Sequence, residues 1–153
     1  MTGSVREAVT TAVGAGGALG EALIAIKDQP DRTAEWLSEV LHISQPGTAH
    51  LVRRLIDQGW VTRPDRGRAR PLRLTPAGER QAASALAGRK AVLDRFVGRL
   101  SEEQCGQLIA ITGALLSTEA RSESLLAELC RLCDRASCPA CPVHEGWQRN
   151  CSG

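Results

Sequence analysis

The chain has 153 residues, 24% of them charged, and a formal net charge of +2 at neutral pH. This length is sufficient to bury a hydrophobic core in one domain without covalent cross-links. Aromatic residues are scarce, and the abundance of Ala and Leu suits helices packed on helices. No apolar run reaches the roughly 20 residues of a membrane span. The N-terminus has no apolar signal core, so we expect a soluble, cytoplasmic protein.

The first part of the chain predicts a helix–turn–helix. Helices are expected, in chain order, over about 4–13, 18–27, 33–41 and 45–58. Ser44 is a good N-cap for the last of these helices, and Gly59 is a good C-terminal stop. Four residues of this helix fall at the i, i+3, i+4, i+7 positions of one buried stripe: Thr48, Leu51, Val52 and Leu55.

A β-hairpin and further helices are predicted to follow. Residues 60–63 and 72–75 have the pattern of two short strands, and the segment PDRGRARP between them forms a basic tip. A helix of about 20 residues starts at Pro76. Ser101 and Gln104 form a capping box, from which one further helix is expected to continue to Cys130. The last fifteen residues are expected to be loop-like. The predicted fold class is therefore mainly α, a winged helix–turn–helix with a small β-hairpin wing.

Positive charge is concentrated in this winged segment. Residues 53–73 contain seven Arg and two Asp, a local excess of five positive charges. The major groove of DNA admits one helix, and the outward face of helix 45–58 carries Gln45, Pro46, His50, Arg53 and Arg54. At the hairpin tip, Arg66, Arg68 and Arg70 suit the minor groove or its flanking phosphates. The alternative is an ordinary amphipathic helix with a solvated arginine face. The coincidence of charge, helix–turn–helix and hairpin favours DNA binding.

The segments "ISQPGTAHLVRRLIDQGWV" and "RLTPAG" resemble the DNA-binding core of the MarR family of bacterial transcription regulators. The resemblance spans about residues 20–130 and is strongest over 33–82. It implies a homodimer that binds a pseudo-palindromic operator in double-stranded DNA, with a small-molecule effector or an oxidant relieving repression. The implied organisation is N-terminal dimerisation helices (1–30), a DNA-binding region (31–82), C-terminal dimerisation helices (83–130) and a cysteine-rich tail (130–153).

That tail carries the spacing C-x2-C-x4-C-x2-C, formed by Cys130, Cys133, Cys138 and Cys141. If the long helix continues to about residue 133, the first two thiols share its last turn. Paired C-x2-C motifs in a reducing compartment favour one metal centre over disulfides, thiol redox chemistry or uncoordinated thiols. Four thiolates suit zinc, which is slightly preferred, with an iron–sulfur cluster as a close alternative. His144 is a possible substitute ligand, and Cys105 is expected to be a packing residue.

Together these features predict a sequence-specific DNA-binding transcription regulator, of repressor type, with a C-terminal four-cysteine metal site that stabilises the protein or senses metal or redox state. The alternative is a metal-carrier or thiol-redox protein that uses the winged helix for protein contacts, a role that would not require a basic wing. No Ser/His/Asp set, paired carboxylates or phosphate-binding loop suggests an enzyme.

Overall fold

A computed structural model describes residues 17–64, 70–119, 121–135 and 140–151. The predicted helix over 4–13 lies outside these ranges. The helices and strands within them are, in chain order, α1 (Gly17–Asp28), α2 (Ala34–Leu41), α3 (Gln45–Asp57), β1 (Val61–Thr62), β2 (Arg73–Leu74), α4 (Pro76–Val97), α5 (Glu102–Leu116), α6 (Glu123–Cys130) and α7 (Pro142–Cys151). The mainly helical fold with a small β-hairpin, predicted from the sequence, is thereby confirmed.

The helix–turn–helix is formed by α2 and α3, and local capping sets its boundaries. The Thr33 side chain accepts a hydrogen bond from the Trp36 amide at 3.3 Å and starts α2. The Ser44 side chain accepts from the Gly47 amide at 3.3 Å and starts α3, as predicted. Between them, His42 ends α2 in a left-handed conformation with φ of 53°. Gly59, with φ of 69°, turns the chain out of α3 where a side chain would strain the backbone.

The main hydrophobic core surrounds α1. Seven of its twelve residues are buried, and the core continues through α2, the inner stripe of α3, β1 and α4. The predicted stripe of α3 is confirmed, because all four of its residues are buried: Thr48, Leu51, Val52 and Leu55. None of the cysteines in the described part of the tail contributes to this core.

The wing is a two-stranded antiparallel sheet in which Val61 pairs with Leu74 and Thr62 with Arg73. Towards the hairpin tip the strands are shorter than predicted because the Leu72 backbone bonds elsewhere, whereas at the other end the Thr75 amide still donates to the Trp60 carbonyl at 2.9 Å. The Leu72 amide donates to the Arg32 carbonyl at 2.9 Å, and the Leu72 carbonyl accepts from the Asp31 amide at 3.2 Å. The wing is therefore tied to the segment that precedes α2.

The single helix predicted from Ser101 to Cys130 is wrong, because two helices occupy this range. The capping box at Ser101 starts α5 as predicted, but α5 ends at Leu116. The hydroxyls of Ser117 and Thr118 then donate to carbonyls three residues back, those of Ala114 and Leu115, at 2.9 and 2.8 Å. Such side-chain bonds compete with helix continuation. Ser122 then caps α6 through the Leu125 amide at 3.2 Å.

The prediction of a loop-like tail is also wrong, because α7 lies within it. Pro142 occupies the first position of α7, where a missing N–H costs nothing, and Glu145 lies in the favourable first turn. Gly146 is buried so closely against α5 that a Cβ atom there would lie 2.0 Å from the Ser117 carbonyl oxygen. Val143 and Trp147 join Leu126 and Cys130 in a second, smaller core. None of the helices in the described ranges is long and apolar enough to cross a bilayer.

Candidate functional site

The outward face of α3 is exposed to solvent. Its five predicted DNA-facing residues are all exposed: Gln45, Pro46, His50, Arg53 and Arg54. Across the part of the chain that the structure describes, neither arginine forms an ion pair with a carboxylate. Both guanidinium groups are therefore available to an external anion such as a phosphate, or to the acceptor edge of a guanine.

Gln45 has a second role that the sequence did not reveal. Its side-chain amide donates to the Ser38 hydroxyl at 2.8 Å, and that hydroxyl donates to the Glu35 carbonyl at 2.6 Å. Ser38 is a buried residue of α2. This short chain of hydrogen bonds fixes the start of α3 against α2. Contact between Gln45 and DNA stays a prediction, and a contact of this kind would have to use the amide oxygen or follow a change of rotamer.

The wing is only partly described. Arg66, Arg68 and Asp65 lie outside the described residues, so their predicted positions stay predictions. Arg70 is exposed, and its Nε donates to the Pro64 carbonyl at 3.4 Å across the mouth of the hairpin. Arg73 forms an ion pair with Asp31, which removes one arginine from the unpaired positive charge of this surface.

Three of the four predicted cysteine ligands border one cavity. A cavity of about 310 Å³ lies between the end of α6 and the first turns of α7. Its walls include Leu126, Cys130, Cys133, Arg135, Cys141 and His144. The fourth predicted ligand, Cys138, lies outside the described residues.

Cys130 and Cys133 form a hydrogen-bonded thiol pair. We predicted that both residues lie on the last turn of one helix, but α6 ends at Cys130. The two residues nevertheless lie on one turn of backbone, because the Cys133 amide donates to the Cys130 carbonyl at 2.8 Å. A hydrogen bond from the Cys130 thiol lowers the pKa of Cys133 to about 6. The same bond, together with burial, raises the pKa of Cys130. This hydrogen bond therefore favours the thiolate form of Cys133 and the protonated form of Cys130.

His144 borders the same cavity as these thiols. Its Nδ1 is buried and has no hydrogen-bond partner among the described residues, while its Nε2 lies 3.2 Å from the Gln148 side-chain nitrogen. The ring lies 6.0 Å from the Trp147 ring, tilted by 31°. An unpartnered imidazole nitrogen beside cysteines is a suitable additional metal donor.

The described ranges contain no group of three or more His, Cys, Asp or Glu side chains already placed to hold a metal ion. Cys130 and Cys133 lie on one turn of backbone, and Cys141 packs against the small core that contains Cys130. A complete donor set therefore requires Cys138 or a movement of these side chains. Cys105, on α5, is half-buried with its sulfur 4.0 Å from the Val97 carbonyl oxygen, in keeping with a packing role.

The thiol pair generates a prediction for the metal-free protein. Because only the thiolate reacts with alkylating agents, alkylation of Cys133 should rise with a midpoint near pH 6, against about 8.5 for an ordinary thiol. Replacement Cys130→Ala removes the hydrogen-bond donor and should raise this midpoint. Cys105→Ala serves as the control and should leave the midpoint in place. Peptide-resolved mass spectrometry measures the reaction, and a midpoint above pH 8 in the parent protein would contradict the thiol pair.

Comparisons with known proteins agree with this geometry. A family model described as the MarR family matches residues 21–71, whereas comparison with curated proteins finds no significant match. Among solved structures, a MarR family protein from Bacillus stearothermophilus is 23% identical with a TM-score of 0.66, covering 74% of this chain and 81% of that chain. The YusO protein from Bacillus subtilis is 24% identical with a TM-score of 0.63, covering 72% and 80%.

The Mycobacterium tuberculosis MarR family protein Rv2887, solved in complex with DNA, is 25% identical with a TM-score of 0.62, covering 74% of this chain and 90% of that chain. A second structure of Rv2887 is a complex with salicylic acid. The resemblance found in the sequence is thus confirmed: residues 21–71 match the MarR family, and the chain has the winged-helix fold of the MarR family transcription regulators.

Proposed function

We propose that this protein is a sequence-specific DNA-binding transcription regulator that acts as a repressor. The observation that carries this proposal is the exposed face of α3, where Arg53 and Arg54 have no ion-pair partner among the described residues and precede a wing whose sequence is basic. A helix of this kind, packed on its inner side and polar on its outer side, has the shape that the major groove admits. The similarity to Rv2887, a protein solved with DNA, supports the same role here.

Replacement of Arg54 tests the DNA contact. Arg54→Ala should weaken binding to a duplex selected by the parent protein from a random pool by about 1–3 kcal/mol, if Arg54 contacts a base edge. The matched control is Arg95→Ala, an exposed arginine in the last turn of α4, about 30 Å along that helix from the wing. Fluorescence anisotropy at fixed salt measures both affinities. If both variants lose the same affinity for DNA, Arg54 contributes only nonspecific electrostatic attraction and the predicted base contact is wrong.

We further propose that the functional unit is a homodimer. All residues of α5 are at least partly exposed, and three of its large apolar side chains are mostly exposed: Ile109 is 71% exposed, Ile111 61% and Leu115 64%. Phe96, Val97 and Leu100 add to this apolar surface. Contiguous exposed apolar surface of this kind marks an interaction site. A second copy of the chain is the partner that a pseudo-palindromic operator requires, because two-fold symmetric half-sites need two recognition helices.

A charge placed on α5 tests the dimer. Ile111→Glu puts a carboxylate into the proposed interface, where its desolvation is costly, and should lower the sedimentation mass from two chains towards one and weaken operator binding. Ala110→Glu adds the same charge on another side of the same helix and should leave the dimer intact. If the Ile111→Glu protein stays dimeric at low micromolar concentration, dimerisation through α5 is refuted.

We propose that Cys130, Cys133, Cys138 and Cys141 hold one metal centre, with zinc preferred and an iron–sulfur cluster as the alternative. The hydrogen-bonded pair Cys130–Cys133 supplies one half of a donor set with a thiolate already favoured. Cys141 borders the same cavity, and the His144 nitrogen offers a substitute donor. A bound metal would supply cross-linking between α6 and α7. A thiol-redox or metal-carrier role would use the same thiol pair, but it gives no reason for the exposed arginines of α3.

Metal analysis of protein purified without oxygen tests this proposal. Stoichiometric zinc in colourless protein supports a zinc site, whereas iron and sulfide in brown protein support a cluster. The double variant Cys133→Ser/Cys138→Ser should lose the metal, and Cys105→Ser, a cysteine of α5, should retain it. If affinity for DNA persists in the double variant while thermal stability falls, the centre is structural; if affinity falls with an intact fold, the centre is regulatory. Absence of bound metal from the parent protein rules out both roles.

A small-molecule effector is also proposed. A cavity of about 530 Å³ lies between α1, α4 and the turn after α6, with apolar walls at Leu86 and Leu93. Its charged lining residues are three cations and two carboxylates: Lys27, Arg89, Lys90, Asp94 and Asp134. This combination suits a small organic anion with an apolar body. The complex of Rv2887 with salicylic acid supports an effector of this class.

A further inference from the structure

The helix that leads into the cysteine cavity lies against the helix–turn–helix of the same chain. Helices α6 and α2 are each eight residues long and lie in contact. Side-chain contacts join them at both ends. Glu123, in the first turn of α6, pairs with Arg32, just before α2. Glu128, in the last turn of α6, has its Oε1 2.7 Å from Nε2 of His42, just after α2. The two helices therefore lie side by side and parallel, with a side-chain contact between them at each end.

His42 occupies a sensitive position in the helix–turn–helix. It is the left-handed residue that ends α2, and its amide donates to the Glu39 carbonyl at 3.2 Å. The next amide, that of Ile43, donates to the Ser38 carbonyl at 3.1 Å. Ser44 follows as the N-cap of α3. Because only two residues separate His42 from the first residue of α3, the position of this turn sets the position of the recognition helix.

The other end of α6 is fixed by the cysteine cavity. Cys130, the last residue of α6, lies two residues beyond Glu128 and is buried with Leu126 and Val143. The turn that follows is attached to α1, since Leu132 packs against the main core and Arg135 Nη1 lies 3.3 Å from the Asp28 carboxylate. In the described part of the tail, only the last turn of α6 connects the thiol pair to Glu128 over a short stretch of backbone.

We propose that Glu128 is a positioning residue for the recognition helix, which holds the turn at His42 and carries the state of the cysteine cavity to that turn within one chain. This inference rests on the proposed DNA-binding and metal-binding functions. Metal bound at the end of α6 fixes its last turn, so the Glu128 carboxylate stays in place against His42. Loss of the metal frays the last turn of α6 and weakens the contact between Glu128 and His42. The turn before α3 then gains conformational entropy, which is lost again when the protein binds DNA.

The experiment compares zinc-loaded protein with protein treated with a strong chelator, at fixed pH and salt. The DNA probe is a duplex selected from a random pool by the zinc-loaded parent protein. The parent should bind it about 5–150-fold more tightly with zinc than without. In Glu128→Ala this ratio should shrink to about twofold or less, because the variant lacks the acceptor for His42. Glu128→Gln keeps an acceptor and should restore part of the ratio. Glu119→Ala, an exposed carboxylate on the turn after α5, should behave like the parent.

A second measurement needs no DNA. Hydrogen exchange of the His42 and Ile43 amides should be slow in the zinc-loaded parent, faster after chelation, and fast under both conditions in Glu128→Ala. A purely stabilising role of Glu128 would raise exchange across the whole core instead. If Glu128→Ala keeps the full zinc-dependent ratio and the parent's exchange pattern, the inference is overturned.

Failure of the underlying functions gives different results. A parent protein that binds zinc but selects no duplex refutes DNA binding, while exchange at His42 and Ile43 still decides for or against the link. A parent protein that binds no zinc refutes the metal site and overturns this inference together with it.

Discussion

Burial of α1 is the interaction on which the rest of the structure depends. Leu19, Leu23, Ile24 and Ile26 are almost completely removed from solvent, and they contact the helix–turn–helix on one side and α4 on the other. Burying an aliphatic side chain of this size contributes about 1.5–3 kcal/mol. This apolar centre sets the frame in which the exposed face of α3 is presented, and it allows the tail to vary chemically without unfolding the DNA-binding region.

The elements predicted correctly are those whose signals are local. Ser44, Gly59 and the capping box at Ser101 act on backbone groups within a few residues, and the buried stripe of α3 repeats with the period of a helix. The break after Leu116 was also encoded locally, by Ser117, Thr118 and Ser122. It was missed because the apolar residues on either side continue as if one helix joined them.

Long-range contacts could not be predicted from the same signals. The pair Arg32–Glu123 joins residues 91 apart in sequence, and the hydrogen bond between Gln45 and Ser38 depends on the angle at which α2 and α3 meet. Exposed charges carry no periodicity that indicates a partner. The docking of α6 on α2, and of α7 on α5 through Gly146, therefore emerges only when the tertiary structure is available. The cysteine spacing predicted a metal site, but it did not indicate that Cys130 ends a helix that packs against the helix–turn–helix.

The exposed apolar surface of α5, as the proposed dimer interface, bears on how DNA binding would depend on the concentration of the chain. When a regulator binds DNA as a pair and most chains are single, the number of pairs grows with the square of the chain concentration. A twofold rise in synthesis then gives about a fourfold rise in active pairs, by mass action. In the dimer proposed above, side chains such as Ile109 and Leu115 would make expression level itself part of the control, with a sharper onset than a monomeric regulator would have.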